Sequence, residues 1–201
     1  MISRLWLQTA AHATARRKVL GAVWLAALVL PGCGVLDSNG GPASGTVAVT
    51  FVHQVDREPL TLNREVHTTP AGQVYSVSLL EYIVTDVALV ETEGDSVRLA
   101  AAHYGNVARP ETASLAAASV PGGRYARLSF TFGVPAADNV AGRLPNTTDF
   151  ANMVWPDALG GGYHYMRLEG RYGTTGDTRT FLVHSGPTRG ADNSFRVALP
   201  M

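Results

Sequence analysis

The chain has 201 residues, 46% of them apolar, a size that fits one domain with a sizeable core. Sixteen basic residues balance sixteen acidic ones, so the sequence lacks the net positive charge typical of nucleic-acid binding. Its single cysteine excludes both a disulfide framework within the chain and a zinc site built from thiolates.

The N-terminal segment has the pattern of a bacterial export signal. Arg16-Arg17-Lys18 precedes an apolar run over residues 19–30, which is too short to span a bilayer as a helix. The run ends in Leu30-Pro31-Gly32-Cys33, which resembles a lipobox, in which the cysteine thiol is the lipid attachment point. We therefore predict a signal peptide over residues 1–32 and lipidation of Cys33. A free cysteine after an ordinary signal or membrane anchor is the alternative.

The residues after the predicted signal read as a flexible tether. Residues 33–45 are rich in glycine, serine, asparagine and proline and carry few apolar side chains. Acyl chains on Cys33 would hold the protein to the membrane through lipid alone. Because Gly34 rather than aspartate follows the cysteine, we expect the outer membrane, facing the periplasm.

Residues 46–201 have a pattern typical of an all-β domain, in which short apolar runs are separated by glycine and proline. The first run places Val47, Val49 and Phe51 on one strand face, with His53 at its end. Residues 75–90 predict a strand, a bend and a second strand. About eight strands with no repeated βα unit predict a single-domain β-sandwich of Greek-key or immunoglobulin-like type.

Two later runs are less clear. Residues 97–104 favour a strand, although 99–102 could be helical, and 115–120 are ambiguous. Residues 125–134 form the clearest strand, since Leu128, Phe130 and Phe132 alternate with small or polar residues.

Histidines are the main candidates for chemistry. A neutral imidazole binds late first-row metals well, and without thiolates copper is favoured, although a lone histidine at a strand end is more often a hydrogen-bonding residue. His164 and Met166 lie two apart and would share a strand face, offering imidazole and thioether, unless Met166 belongs to the core. Five of the six histidines follow the predicted signal: His53, His67, His103, His164 and His184.

Hydrolytic and phosphate-binding signatures are absent from the sequence. It contains no G-x-S-x-G elbow and no H-E-x-x-H helix motif. The run Gly160-Gly161-Gly162 is a turn, because no helix pattern or lysine follows it as phosphate binding would need. We therefore expect a protein that is not an enzyme.

Five short motifs occur in order along the predicted domain: Phe51-Val52-His53, Val120-Pro121-Gly122-Gly123, Met153-Val154-Trp155, Arg167-Leu168-Glu169-Gly170 and Phe181-Leu182-Val183-His184. Together they resemble the MbnP-like copper-binding domain family of bacterial periplasmic and lipid-anchored proteins. The resemblance runs across nearly the whole predicted domain. One departure is that Asp157 stands where a second aromatic residue is common in the family.

This resemblance implies a β-sandwich that binds copper(I) or copper(II) through His53 and His184, with His103 or His164 as a third ligand. It also implies a dihaem peroxidase-like partner protein. In some relatives a tryptophan near the metal is oxidised to kynurenine, and Trp155 is the only tryptophan outside the predicted signal.

The sequence thus predicts a lipid-anchored protein that takes part in copper acquisition, storage or transfer. The alternative is a metal-free interaction module on the same sandwich, with Tyr163, Tyr165 and Trp155 forming an aromatic binding patch. An enzyme of unknown type has the least support.

Overall fold

The computed structural model describes the backbone of residues 6–9 and 22–26, and backbone and side chains of residues 43–201 except 175, 189 and 190. Cys33 and most of the predicted signal and tether lie outside these residues. The strands are Trp6–Thr9 (β1), Ala22–Ala26 (β2), Ser44–Val52 (β3), Gln54–Val55 (β4), Glu58–Pro59 (β5), His67–Thr68 (β6), Val74–Glu91 (β7), Ser96–Asn106 (β8), Ser114–Pro121 (β9), Tyr125–Phe132 (β10), Met166–Thr174 (β11), Asp177–Ser185 (β12) and Phe195–Pro200 (β13).

Helical structure in the described residues is confined to single turns. They are a 3₁₀ turn at Pro110–Ala113, an α-helical turn at Thr148–Ala151 and a 3₁₀ turn at Asp157–Leu159. None of the described helices is long and apolar enough to cross a membrane. The two ambiguous runs of the sequence are both strands, β8 and β9, so the helical alternative for 99–102 is wrong.

Strand β7 organises the larger of the two main sheets. We expected a strand, a bend and a strand over 75–90, but β7 is continuous over 18 residues. Pairing explains this, because β8 lines one edge while β11 and β10 follow one another along the other. The pairing is irregular around Asp86, which has a φ of 51°. The register of β7 with β8 and with β10 shifts close to this residue.

Two sheets pack face to face, which confirms the predicted all-β sandwich. The larger has the order β12-β11-β7-β10-β13, with β6 and β8 also paired to β7, and the smaller has the order β1-β2-β3-β9. Eleven of the described strands lie within residues 44–201, and eight of these have six or more residues, as predicted, while β4, β5 and β6 are two-residue pieces. The core between the sheets comprises Val49, Phe51, Val77, Leu80, Tyr82, Val84, Val87, Leu89, Leu115, Val120, Leu128 and Phe130.

A second core lies on the opposite, outer face of the larger sheet. The chain leaves β10 at Gly133 and returns to β11 at Tyr165, and both residues are hydrogen-bonded to Ile83. The Gly133 N–H donates to the Ile83 carbonyl at 2.9 Å, and the Ile83 N–H donates to the Tyr165 carbonyl at 3.0 Å. Residues 133–165, here called the cap segment, therefore begin and end at one point of β7. Together with β7 and β8 they bury Ile83, Tyr104, Val134, Phe150, Met153, Tyr163 and Tyr165.

The cap segment corrects one expectation. Tyr163 is 2% exposed, Tyr165 1% and Trp155 7%. Tyr163 and Tyr165 belong to the second core, and Trp155 is buried beside His164 and Gly186, so the predicted aromatic binding patch at the surface is wrong. Large aromatic residues that alternate near a glycine turn supply the apolar area that a small second core needs.

Candidate metal site

Two of the predicted site residues meet where the cap segment rejoins the sheet. The three glycines at 160–162 all have positive φ values, which lets the chain reverse so that Val154 pairs with Tyr163. Backbone hydrogen bonds from Trp155 N to Gly162 O (2.8 Å) and from His164 N to Met153 O (2.6 Å) close this reversal. The turn thereby places Trp155 beside His164.

A row of three rings results. The ring centroids of Trp155 and His164 are 4.5 Å apart, with an interplanar angle of 72°. Those of His164 and His184 are 5.2 Å apart, at 79°. His184 lies near the end of β12, which is hydrogen-bonded to β11. The Tyr165 N–H donates to the carbonyl of Ser185 at 2.7 Å, and this bond ties the cap segment to β12.

Each histidine of this pair has one ring nitrogen engaged by an oxygen that can only accept. His164 Nδ1 lies 3.3 Å from the Met153 carbonyl, and His184 Nε2 lies 2.9 Å from Oε1 of Glu169. Both nitrogens must therefore carry the proton in the neutral ring. The lone pairs are left on His164 Nε2 and His184 Nδ1, and metal-binding histidines characteristically donate their other N–H to a carbonyl or carboxylate.

The protonation state of His164 also suits a metal. Desolvation by burial lowers the pKa of His164, opposed by its hydrogen bond to Met153 O, and the neighbouring His184 and Arg167 add to the lowering. A lowered pKa keeps the imidazole neutral at physiological pH, the form that binds metals. Two imidazoles on one ion, with bonds of about 2 Å, have ring centroids about 5 to 6 Å apart, a range that includes the observed separation. Within the part of the chain that the structure describes, no cluster of three or more His, Cys, Asp or Glu side chains could hold a metal.

Trp155 is seated by contacts on both sides. Its indole Nε1–H donates to Leu159 O at 3.2 Å. On the side of β12 the ring lies over Gly186, where a Cβ atom would come within 2.7 Å of Trp155 Cε3. The ring is thus held between the turn at Asp157–Leu159 and the end of β12.

His53 does not join this pair. Its Nε2 lies 2.9 Å from the hydroxyl of Tyr82, which belongs to the core between the two sheets. Across β7, β11 and β12, Tyr82 is opposite Met166 and Met166 is opposite Ser185, so these three share the inner face. His184 lies one position along and therefore on the outer face. The structure therefore does not bring His53 and His184 together as expected, and the imidazole beside His184 is that of His164.

The remaining candidates also lie inside the sandwich. The ring of His103 stacks on Phe51, with centroids 5.3 Å apart, and its Nε2 donates to Thr112 O at 2.9 Å. Desolvation lowers its pKa, opposed by that hydrogen bond. Met166 packs on the core between the sheets while the His164 ring contacts Trp155 and His184. Met166 thus belongs to the core, which was the favoured interpretation, and it forms no imidazole and thioether pair with His164.

Sequence reasoning missed the residues that support the pair. In the sequence, Arg167 and Glu169 stand out only as part of a motif, yet both lie on the same sheet face as His184. Glu169 contacts His184 directly, and Arg167 contacts Glu169. A signal existed, because the tight β11–β12 hairpin, closed by the pair Thr174 and Asp177, fixes Arg167 opposite His184.

Comparison with known proteins gives the same fold. A family model described as MbnP matches residues 44–201. The solved structure of MbnP from Methylosinus trichosporium is similar, with a TM-score of 0.61 over 78% of this chain and 72% of that chain, at 18% identity. At that identity the likeness concerns the fold only. No curated protein sequence matches the chain.

Proposed function

Because the chain belongs to the MbnP family, we propose that it is a non-enzymatic copper-binding protein of the bacterial cell envelope. It holds the ion at His164 and His184, beside Trp155. One observation carries the proposal: the two rings lie 5.2 Å apart, and each donates its other N–H to an oxygen acceptor. Acquisition, storage or transfer of copper would use the same two ligands.

Copper fits this donor set better than zinc does. Structural zinc sites almost always have four protein ligands, and catalytic sites have three. The described residues offer two imidazoles at this place and no larger cluster of ligating side chains. Imidazole suits copper, and copper lies at the top of the affinity order for divalent first-row metals.

The test is the metal content of the purified protein. We expect near-stoichiometric copper in the parent isolated from copper-supplemented periplasm, measured by plasma mass spectrometry. A double variant, His164→Ala with His184→Ala, should contain little copper. His53→Ala is the matched control, because His53 is bonded to Tyr82 on the other side of the sheet. A folded parent without copper would contradict the proposal.

The cell-envelope location rests on the N-terminal sequence. The Leu30-Pro31-Gly32-Cys33 segment resembles a lipobox, and we propose a lipid anchor on Cys33 that holds the domain at the outer membrane, facing the periplasm. Mass spectrometry of the mature N-terminus should find an acylated Cys33 in the parent and no acylation in Cys33→Ser. A Cys33 without acyl chains in the parent would contradict the anchor.

A dihaem peroxidase-like partner is proposed from the family resemblance, and Trp155 is proposed as the residue that is oxidised to kynurenine. That change needs an external oxidant such as peroxide, which adds oxygen across the C2–C3 bond of the indole, and hydrolysis then releases formate. The position of Trp155 supports this, since its ring contacts a proposed copper ligand. Peptide mass spectrometry of protein made with and without such a partner tests it. An unmodified Trp155 in both samples would contradict the modification, and Trp155→Phe provides the control for the peptide assignment.

A further inference from the structure

A chain of directional hydrogen bonds leads from the second core to His184. Glu81 is 9% exposed, and its Oε1 accepts from the Tyr104 hydroxyl at 2.8 Å and from Asn106 Nδ2 at 3.0 Å. Its Oε2 accepts from Arg167 Nη1 at 3.1 Å. Both oxygens of Glu81 are therefore engaged, which fixes the carboxylate in one orientation.

Arg167 transmits that orientation to Glu169. Its second terminal nitrogen, Nη2, donates to Glu169 Oε1 at 3.3 Å. Because the guanidinium is planar and its donors have a fixed geometry, anchoring Nη1 on Glu81 also sets where Nη2 points. The side chains of Arg167 and Glu169 are 27% and 23% exposed, so both lie partly out of solvent.

The same oxygen of Glu169 then receives His184 Nε2 at 2.9 Å. One carboxylate oxygen thus accepts both from a guanidinium that cannot move freely and from an imidazole. A free histidine exchanges between two neutral tautomers, and the hydrogen bond made by one ring nitrogen decides which nitrogen keeps the lone pair. Here the acceptor lies at Nε2, so the lone pair is on Nδ1.

We propose that Glu169 is a positioning residue that holds His184 in the tautomer protonated on Nε2, so that Nδ1 is the nitrogen presented to copper. This role rests on the proposed function. Glu81 and Arg167 act through Glu169: they hold its carboxylate in place and touch neither imidazole nitrogen of the pair. The site is thereby preorganised before any metal arrives.

The tautomer is measured without copper. In metal-free protein with ¹⁵N-labelled histidine, long-range ¹H–¹⁵N correlation at pH 7.5 should show His184 as the Nε2–H form. Glu169→Ala removes the acceptor and should give a mixture of both tautomers. Glu169→Gln keeps a carbonyl oxygen that accepts the same proton and should restore the Nε2–H form. Arg167 keeps its bond to Glu81 in both variants, so no cation loses its last partner.

The second measurement is copper affinity in the same set. Loss of such a supporting partner weakens metal binding by about 10- to 100-fold, which we expect for Glu169→Ala, with a smaller loss for Glu169→Gln. Glu93→Ala, at an exposed hairpin, is the matched control and should bind copper as the parent does. If Glu169→Ala changes neither tautomer nor affinity, the positioning role is overturned.

The two proposals fail in distinguishable ways. In one case His184 is in the Nε2–H tautomer in the parent and in a mixture of tautomers in Glu169→Ala, but the parent takes up no copper. This result overturns the proposed function, while the control of the His184 tautomer by Glu169 still stands. A parent that binds copper through His164 and His184, with His184 protonated on Nδ1 in the metal-free state, overturns the positioning role and leaves copper binding standing.

Discussion

The indole ring of Trp155 lies directly over Gly186, so close that the glycine has no room for a side chain. A Cβ atom there would approach Trp155 Cε3 to 2.7 Å and Cδ2 to 2.8 Å. Since Trp155 in turn contacts His164, the end of β12 controls the position of one proposed copper ligand through the ring between them.

Gly186→Ala should therefore displace Trp155. We expect a loss of about 1–3 kcal/mol in the free energy of unfolding, the usual cost of overpacking a well-packed contact, a shifted tryptophan emission and weaker copper binding. Gly45→Ala in β3 is the control, because a Cβ there meets nothing within 4 Å. Emission identical to the parent in Gly186→Ala would contradict the packing described for Trp155.

Gly105 has the same relationship with Tyr82 inside the sandwich. The two are paired across β7 and β8, and a Cβ on Gly105 would overlap the Tyr82 ring. Gly105→Ala should push the ring away from His53 and destabilise the fold by about 1–3 kcal/mol, measured by urea unfolding. Copper content should be unchanged, since His53 lies across the sheet from the proposed site. Loss of copper in a folded Gly105→Ala protein would count against that separation.

His53 predicts a pH dependence of stability. Desolvation by burial lowers its pKa from 6.5 to about 4. Between these values the unfolded chain binds a proton at this residue and the folded chain does not, so the free energy of unfolding decreases as the pH falls from about 6.5 to about 4, then levels off. A shift of this size corresponds to about 3 kcal/mol. In His53→Gln, which does not titrate there, we expect a clearly smaller decrease.

Urea unfolding at pH 7.5, 5 and 4 checks this. A residual decrease is expected in His53→Gln, because burial also lowers the pKa values of His103 and His164. An equal decrease in the free energy of unfolding in parent and variant would contradict this, because it would mean that folding does not lower the pKa of His53.

Asn139 links the start of the cap segment to its end. Its Oδ1 accepts from Tyr163 N–H at 2.9 Å, and its Nδ2 donates to the Tyr165 hydroxyl at 3.1 Å. Asn139→Ala leaves the Tyr163 N–H without its acceptor, at a cost of about 1–3 kcal/mol, while the Tyr165 hydroxyl keeps its bond to Asp192. We expect faster amide exchange in the cap segment than in the parent. Asn146→Ala, exposed in the same segment, should exchange as the parent does, and equal exchange in both variants would contradict the role of Asn139.

The sandwich could be predicted from sequence because apolar residues alternate with small or polar ones along β3 and β10. Leu128 and Phe130 are buried as the period of two requires, and the apolar face of β3 packs Val49 and Phe51 into the core. Alternation also placed His53 at the end of that face, and the structure finds it there, bonded to Tyr82.

The partner of His184 could not be predicted, because alternation within a strand does not say which sheet face is inner. That depends on which strands become neighbours: β11 joins β7 so that Tyr82 faces the core and Glu81 faces outwards. A shift of one residue would exchange the two faces. The cap segment adds long-range contacts that no local pattern encodes, and these bring His164 to His184.

Copper K-edge X-ray absorption on protein loaded with one equivalent of copper(I) tests the central claim most directly. We predict nitrogen scattering from two imidazoles in the parent, from one in His164→Ala and in His184→Ala, and from two in His53→Ala. An unchanged spectrum in the first two variants together with loss of an imidazole in His53→Ala would place the copper inside the sandwich and contradict the account.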